Sequence, residues 1–302
     1  DDQNFLRGSS DSAQILVMRE TEVTVQWLGG FRNSSSMVSG YLRDVVGIGL
    51  LDHQLEVYFD GEHIGNTTSG ESGMFSYNIF IDESTELGEH IVEIHFEGSY
   101  LYISSSSDSS SDILARTVFS SEPLEVLRLQ EFILSSYLLD DLGNPMVGQM
   151  VNVTFGNIKY PLIVDQTGLV EKNLTLTPDY DLGTYSAYWD YSGHDYYLPT
   201  THQQTVTIMA LTSISIESDA DVIVGETFGF SGRIIDDMNE PLSTNLNFYF
   251  HGQFVDTLLT DGDGKFYYEY RVPTDSDAGP NAISVHYISE GYYRASSSTW
   301  QL

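Results

Sequence analysis

The chain repeats itself three times at a period near 96 residues, and a self-similar period of that length restricts it to serial small domains. Ser39-Gly40-Tyr41-Leu42-Arg43-Asp44 aligns with Ser135-Ser136-Tyr137-Leu138-Leu139-Asp140 and with Ser231-Gly232-Arg233-Ile234-Ile235-Asp236. The second and third copies continue through a proline-bearing turn, Asp141-Leu142-Gly143-Asn144-Pro145 and Asp237-Met238-Asn239-Glu240-Pro241, whereas the first copy lacks the proline after Asp44. An alternating strand follows, with apolar positions Leu55, Val57 and Phe59, then Val151, Val153 and Phe155, then Leu246, Phe248 and Phe250. Period two with polar residues between predicts one buried face and one wet face. Glycine turns recur at Gly73, Gly168 and Gly264 and at Gly88, Gly183 and Gly279. A second apolar column reads Val92, Ile94, Phe96, then Ala187, Trp189, Tyr191, then Ile283, Val285, Tyr287.

Short strands, frequent turn signals and no useful helical period predict an all-β chain of three antiparallel sandwiches, with almost no helix. The 302 residues suit three domains of about 100 residues each. The expected domains are 1–118, 119–210 and 211–302. The serine-rich stretch Ser104 to Ser111 reads as a long loop, and the last strand of the first copy is expected near Ile113 to Val118.

Each copy closes on an aromatic-x-Gly/Ser-x-x-x-Tyr-x-x-Ser/Thr hairpin, at Phe96 to Ser105, Tyr191 to Thr200 and Tyr287 to Ser296. With this hairpin and the Asp-Gly turn Thr260-Asp261-Gly262-Asp263-Gly264-Lys265-Phe266, the whole chain resembles the immunoglobulin-like repeats of bacterial and archaeal cell-surface proteins. These include adhesins, surface-layer proteins and stalks beside extracellular enzymes. The resemblance implies tandem immunoglobulin-like domains at the cell surface in a structural or adhesive role, with turn and hairpin as structural elements; such a fold hosts many tasks.

Charge narrows the partners. Lys and Arg number 12 against 44 Asp and Glu, a net charge of −32, shared as −14, −8 and −10 among the three expected domains. A surface acidic throughout repels phosphate backbones and anionic lipids, so neither nucleic acid nor a membrane surface is an expected partner. It favours cations, basic partners or saline surroundings. The longest apolar run, Val45 to Leu51, is far below the roughly 20 residues of a bilayer span. A start at Asp1-Asp2 reads as a processed or excised segment. The chain has no cysteine, which excludes disulfides, thiolate metal sites and cysteine nucleophiles.

Candidate sites are few. Asn33, Asn66, Asn152 and Asn173 open N-x-[ST] sequons, glycan acceptors in an exported chain. Asp261 and Asp263, with Asp275 and Asp277 nearby, could form a calcium loop, but Lys265 stands where an EF-hand needs a further ligand, so a plain turn is expected. The acidity leaves room only for weak, diffuse calcium binding, and no cofactor is expected. Eight histidines form no ligand pair; His95 and His286 should face outward. The pairs Asp140-Asp141 and Asp236-Asp237 read as solvated turn acids rather than a glycosidase dyad. No nucleophile elbow or Walker loop occurs, so no enzyme is expected. Tyr100, Tyr196 and Tyr292 should be exposed on the closing hairpins. The expected function is a noncatalytic extracellular spacer, surface-lattice or filament subunit, with self-association or other surface proteins as partners. The alternative is an adhesin or glycan-binding array using those tyrosines. Asp1 to Ser12 or Ser296 to Leu302 could pair with a neighbour's sheet edge.

Overall fold

The computed structural model of the chain describes residues 15–218, 222–276, 279 and 281–301. Asp277, the segment Asp1 to Ser12 and Leu302 lie outside the described residues. Among those described, only one short 3-10 turn, Glu71–Gly73, interrupts an all-β chain.

In the first repeat β1 (Thr21–Trp27), β3 (Ser34–Asp44) and β6 (Met74–Ile81) form one sheet, ordered β1-β3-β6. Facing it are β2 (Gly30–Phe31), β4 (Gln54–Phe59), β5 (Glu62–Thr68), β7 (Gly88–Phe96) and β8 (Ser105–Leu114), ordered β2-β8-β7-β4-β5. The second repeat duplicates this plan. Its smaller sheet has β9 (Thr117–Ser120), β11 (Glu131–Asp140) and β14 (Leu169–Thr175), ordered β14-β11-β9. Its larger sheet has β10 (Leu124–Leu127), β12 (Met150–Phe155), β13 (Ile158–Ile163), β15 (Gly183–Tyr191) and β16 (Thr200–Met209), ordered β10-β16-β15-β12-β13. In the third, β17 (Thr212–Ser218), β18 (Thr227–Asp236) and β21 (Lys265–Arg271) face β19 (Asn245–Phe250), β20 (Gln253–Leu259), β22 (Ala282–Tyr287) and β23 (Ser296–Gln301). The fold is therefore three serial immunoglobulin-like sandwiches. Parallel pairing joins β2 to β8 and β10 to β16.

By compactness the chain divides into two units. One takes residues 1–117 with the turn 140–143 and the hairpin 192–199; the other takes 118–139, 144–191 and 200–302.

Each core forms where the two apolar columns meet. Leu55, Val57, Val92, Ile94 and Phe96 are buried around Trp27 in the first repeat, and Leu246, Phe248, Ile283, Val285 and Tyr287 around Phe230 in the third. In the second, Trp189 is buried with Val151, Val153 and Ala187. Its indole Nε1 donates to Gln204 Oε1 at 3.1 Å, and Gln204 Nε2 donates to the Glu122 carbonyl at 2.8 Å. A buried indole needs such a partner. Where the first repeat lacks the proline, Gly49 bridges Arg43 as Pro145 bridges Leu139 and Pro241 bridges Ile235. A Cβ at Gly49 would lie 2.0 Å from the Ser72 backbone, so only glycine fits that crossing.

The serine-rich stretch is not a loop. It is β8 itself, paired with β7 from Gly88↔Ile113 to Phe96↔Ser105. The expectation failed because hydropathy reads apolar burial, whereas Ser105, Ser107, Ser109 and Ser111 turn half-buried hydroxyls toward the sheet's interior side. Thr21 Oγ1 lies 2.7 Å from Ser105 Oγ, and the Trp27 N–H donates to Ser109 Oγ at 3.3 Å. Small hydroxyls thus join β8 to β1 where larger side chains would separate them. The segment 113–118 accordingly contains the end of β8 and the start of β9.

Turn carboxylates pin several β-turns. Asp82 Oδ1 accepts from the Ser84 hydroxyl and N–H at 2.5 and 2.6 Å, and Asp165 Oδ1 accepts from the Thr167 hydroxyl and N–H at 2.7 Å each. These bonds hold both carboxyls below the usual aspartate value. A depressed folded value means that the unfolded chain binds more protons as pH falls, so this stabilisation is complete above about pH 4 and lost on acidification through the folded values. Urea unfolding followed from pH 7 to pH 2 should show that decline, and Asp165→Asn should flatten it.

Candidate functional site: the junction of successive repeats

The closing hairpin of each repeat clips the residue that leads into that same repeat. Arg19, Ala115 and Ala210 occupy equivalent seats, bridged to Tyr102, Tyr197 and Tyr293. Arg19 N–H donates to the Leu101 carbonyl and Ile103 N–H to the Arg19 carbonyl, both at 2.8 Å. Ala115 exchanges the corresponding bonds with Tyr196 and Leu198, and Ala210 with Tyr292 and Arg294, all at 2.9 Å. Two residues on, the hydroxyls of Thr21, Thr117 and Thr212 donate to the carbonyls of Ile103, Leu198 and Arg294 at 2.7 to 2.8 Å. Ala115 immediately follows β8, and Ala210 immediately follows β16, so the last strand of one repeat runs directly into the hairpin of the next. No free linker separates them.

An ion cluster reinforces the same junctions. Arg32 directly follows β2 and Arg128 directly follows β10, one period apart. Arg32 Nη2 donates to Asp140 Oδ2 at 3.2 Å and to Asp141 Oδ1 at 2.6 Å, while its Nε reaches Asp141 Oδ2 at 3.1 Å. Arg128 Nη2 donates to Asp236 Oδ2 at 2.7 Å and to Asp237 Oδ1, with Nε on the same Oδ1 at 3.0 Å. Both guanidiniums are raised above their ordinary value: hydrogen bonding to Asp141 dominates for Arg32, and for Arg128 burial opposes the shift while Asp237 and Asp236 drive it. The carboxylate pairs are therefore not solvated turn acids. Each first member stays in its turn, Asp140 Oδ1 accepting from Leu142 N–H and Asp236 Oδ1 from Met238 and Glu240 N–H. Its second oxygen accepts the arginine of the preceding repeat. In the first repeat Asp44 Oδ2 accepts instead from Arg19 Nη1 at 2.7 Å. Burial pushes the Asp44 carboxyl up, but the Ile48 N–H, Arg19 and the Val46 N–H together hold it below the usual carboxylate value.

The three hairpin tyrosines are not equivalent. Tyr196 and Tyr292 share the clip position that Leu101 fills in the first repeat, and Tyr100 stands one residue earlier. Tyr100 is 77% exposed. The Tyr196 ring lies against Gly88, where a Cβ would come within 3.2 Å of Cε2 and where the φ of +123° favours glycine. Asn33, Asn66 and Asn173 are exposed and Asn152 is half-buried on β12.

Asp261 Oδ1 accepts from the N–H groups of Asp263 and Lys265 at 2.9 and 2.8 Å, the geometry of a carboxylate-capped turn, and Asp275 is exposed. Among the described residues no group of three or more His, Asp or Glu side chains is placed to hold a metal ion. His95 lies on the outer face of β7 beside the Tyr58 ring, and His286 sits half-buried beside Tyr249. An open hollow of about 700 Å³ in the first repeat is lined by Phe59, Asp60, Tyr77, Asp82 and His90. His90 Nδ1 meets Asp60 Oδ2 at 2.6 Å and Nε2 meets the Glu86 carbonyl at 2.8 Å, so both ring nitrogens are engaged and neither is left to activate a hydroxyl.

No protein-family model and no curated protein sequence matches the chain. Its fold is similar to that of solved multidomain proteins at low identity. The N-terminal eight immunoglobulin domains of Down Syndrome Cell Adhesion Molecule match at 12% identity and TM-score 0.42, over 94% of this chain and 36% of that one. A tetra-tandem repeat from the extending region of a large adhesion protein matches at 14% and 0.32, over 94% and 74%. A three-immunoglobulin fragment of titin matches at 7% and 0.37, over 94% and 98%. The chain thus spans about a third of the cell-adhesion molecule's solved segment.

The Arg128 and Asp236 side chains are only 9% and 3% exposed. Removing one partner of such a buried pair strands a charge, and Arg128→Ala should cost about 3 to 5 kcal/mol in chemical unfolding. Arg43→Ala, which removes an arginine lying over the Tyr41 ring, should cost under about 1 kcal/mol in the same measurement.

Proposed function

We propose that this chain is a noncatalytic segment of an extracellular cell-surface protein whose serial sandwiches act as a spacer, surface-lattice or filament subunit. The junction carries this reading. Backbone clip, threonine hydroxyl and arginine clamp recur at equivalent positions, so the polar side chains best placed for chemistry are spent on fixing one repeat to the next. The two carboxylate pairs that could suggest hydrolysis are each engaged by an arginine, and both ring nitrogens of His90 are taken by Asp60 and the Glu86 carbonyl.

Two further features support export and surface exposure. The sequons at Asn33, Asn66 and Asn173 open onto solvent. A net charge of −32 keeps such a chain soluble and apart from acidic envelopes. Tyr196 and Tyr292, 38% and 40% exposed, support the lead-in residue through their backbone carbonyls.

An antibody raised against the chain should label intact, unpermeabilised cells that produce it. Signal confined to lysates would overturn the surface reading, and turnover in a broad hydrolase screen would overturn the noncatalytic one.

A further inference from the structure

Three substitutions set one outer face of the first repeat and the outgoing edge of the third apart from the internal junctions, and they match one another. The arginine position, Arg32 and Arg128, is Val224 in the third repeat; the alignment is fixed by the left-handed residues that follow, Asn33, Leu129 and Gly225. The second acid of the clamp, Asp141 and Asp237, is Val45 in the first repeat, within a turn that keeps the same Asp44-capped geometry. The lead-in alanine, Ala115 and Ala210, is Arg19 in the first repeat, and it satisfies Asp44 from within. The receiving face of repeat one has thus lost its demand for an arginine, and the outgoing edge of repeat three has lost the arginine itself.

We propose that these two faces dock on each other between copies of the chain, head to tail, with Val224 seated against Val45. Val45 is 61% exposed with Ile48 of the same turn at 59%, and Val224 is 39% exposed with its chain neighbour Ile223 at 70%. Exposed apolar residues gathered on one face mark a contact surface. Charge selects the occupant. An Arg32-type edge on the first-repeat face would set a second guanidinium against an aspartate already paired with Arg19, and the Val224 edge on an Asp140-Asp141-type face would leave two acids without a cation. Only the Val45 face with the Val224 edge leaves no charge stranded. Such a contact is heterologous and propagates. It deepens the lattice or filament reading above by naming the contact between subunits.

The absence of cysteine gives a direct test. Val45→Cys and Val224→Cys chains, mixed in equal amounts at about 0.1 mM under mild oxidation, should form mixed disulfide dimers several-fold in excess of either homodimer. In sedimentation, Val45→Asp should weaken self-association about tenfold, and adding Val224→Arg should restore it by rebuilding the internal arginine–carboxylate contact. Thermal melts matching the parent chain establish that each variant is folded. A parent chain that stays monomeric at about 1 mM, homodimers equal to mixed dimers, or a double variant as weak as Val45→Asp alone would each overturn the docking. Surface labelling of intact cells would be untouched by those results, so the two readings fail separately.

Discussion

A buried guanidinium shared between two carboxylates of the next repeat is the contact on which the serial organisation rests. Arginine suits it because its planar fork serves two acceptors in one geometry, where a lysine would serve one. Burial raises the stakes of the contact: with the arginine present each aspartate has a cationic partner, and with either side missing a buried charge is left unpaired. The clamp also accounts for why the turn 140–143 and the hairpin 192–199 belong to the same compact unit as residues 1–117.

The clamp is costly in composition. Only 12 of 302 residues are basic, yet Arg19, Arg32 and Arg128 are committed to three equivalent aspartates, Asp44, Asp140 and Asp236. These aspartates do two tasks at once. One oxygen caps the turn that starts a new strand, and the other receives the arginine, so a change to the acid would loosen the turn and the junction together. The rest of the surface remains acidic and hydrated.

The remaining organisation follows from small groups used where large ones will not fit. Serine hydroxyls on β8 reach the backbone and side chains of β1, glycine at Gly49 lets the Ser72 backbone cross, and glycine at Gly88 admits the Tyr196 ring. None of these adds apolar area. Each removes a steric obstacle to a close backbone approach, and hydrogen bonds then hold the approach in place.

The sequence by itself determined the period, the two inward columns of each sandwich and the existence of the closing hairpins, because burial within a repeat is written as alternation along one strand. Leu55, Val57, Val92 and Ile94 are buried for the reason their pattern implies. Tertiary structure alone decided that Ser105 to Ser111 is a strand, because hydroxyl-to-backbone bonding leaves no apolar trace. It alone decided that Asp140-Asp141 and Asp236-Asp237 are buried partners rather than wet acids, because Arg32 and Arg128 lie 108 residues or more away in the preceding copy. A repeat alignment shows what recurs at one position. It does not show which position of one copy touches which position of the next, because that pairing is made between residues about a hundred positions apart.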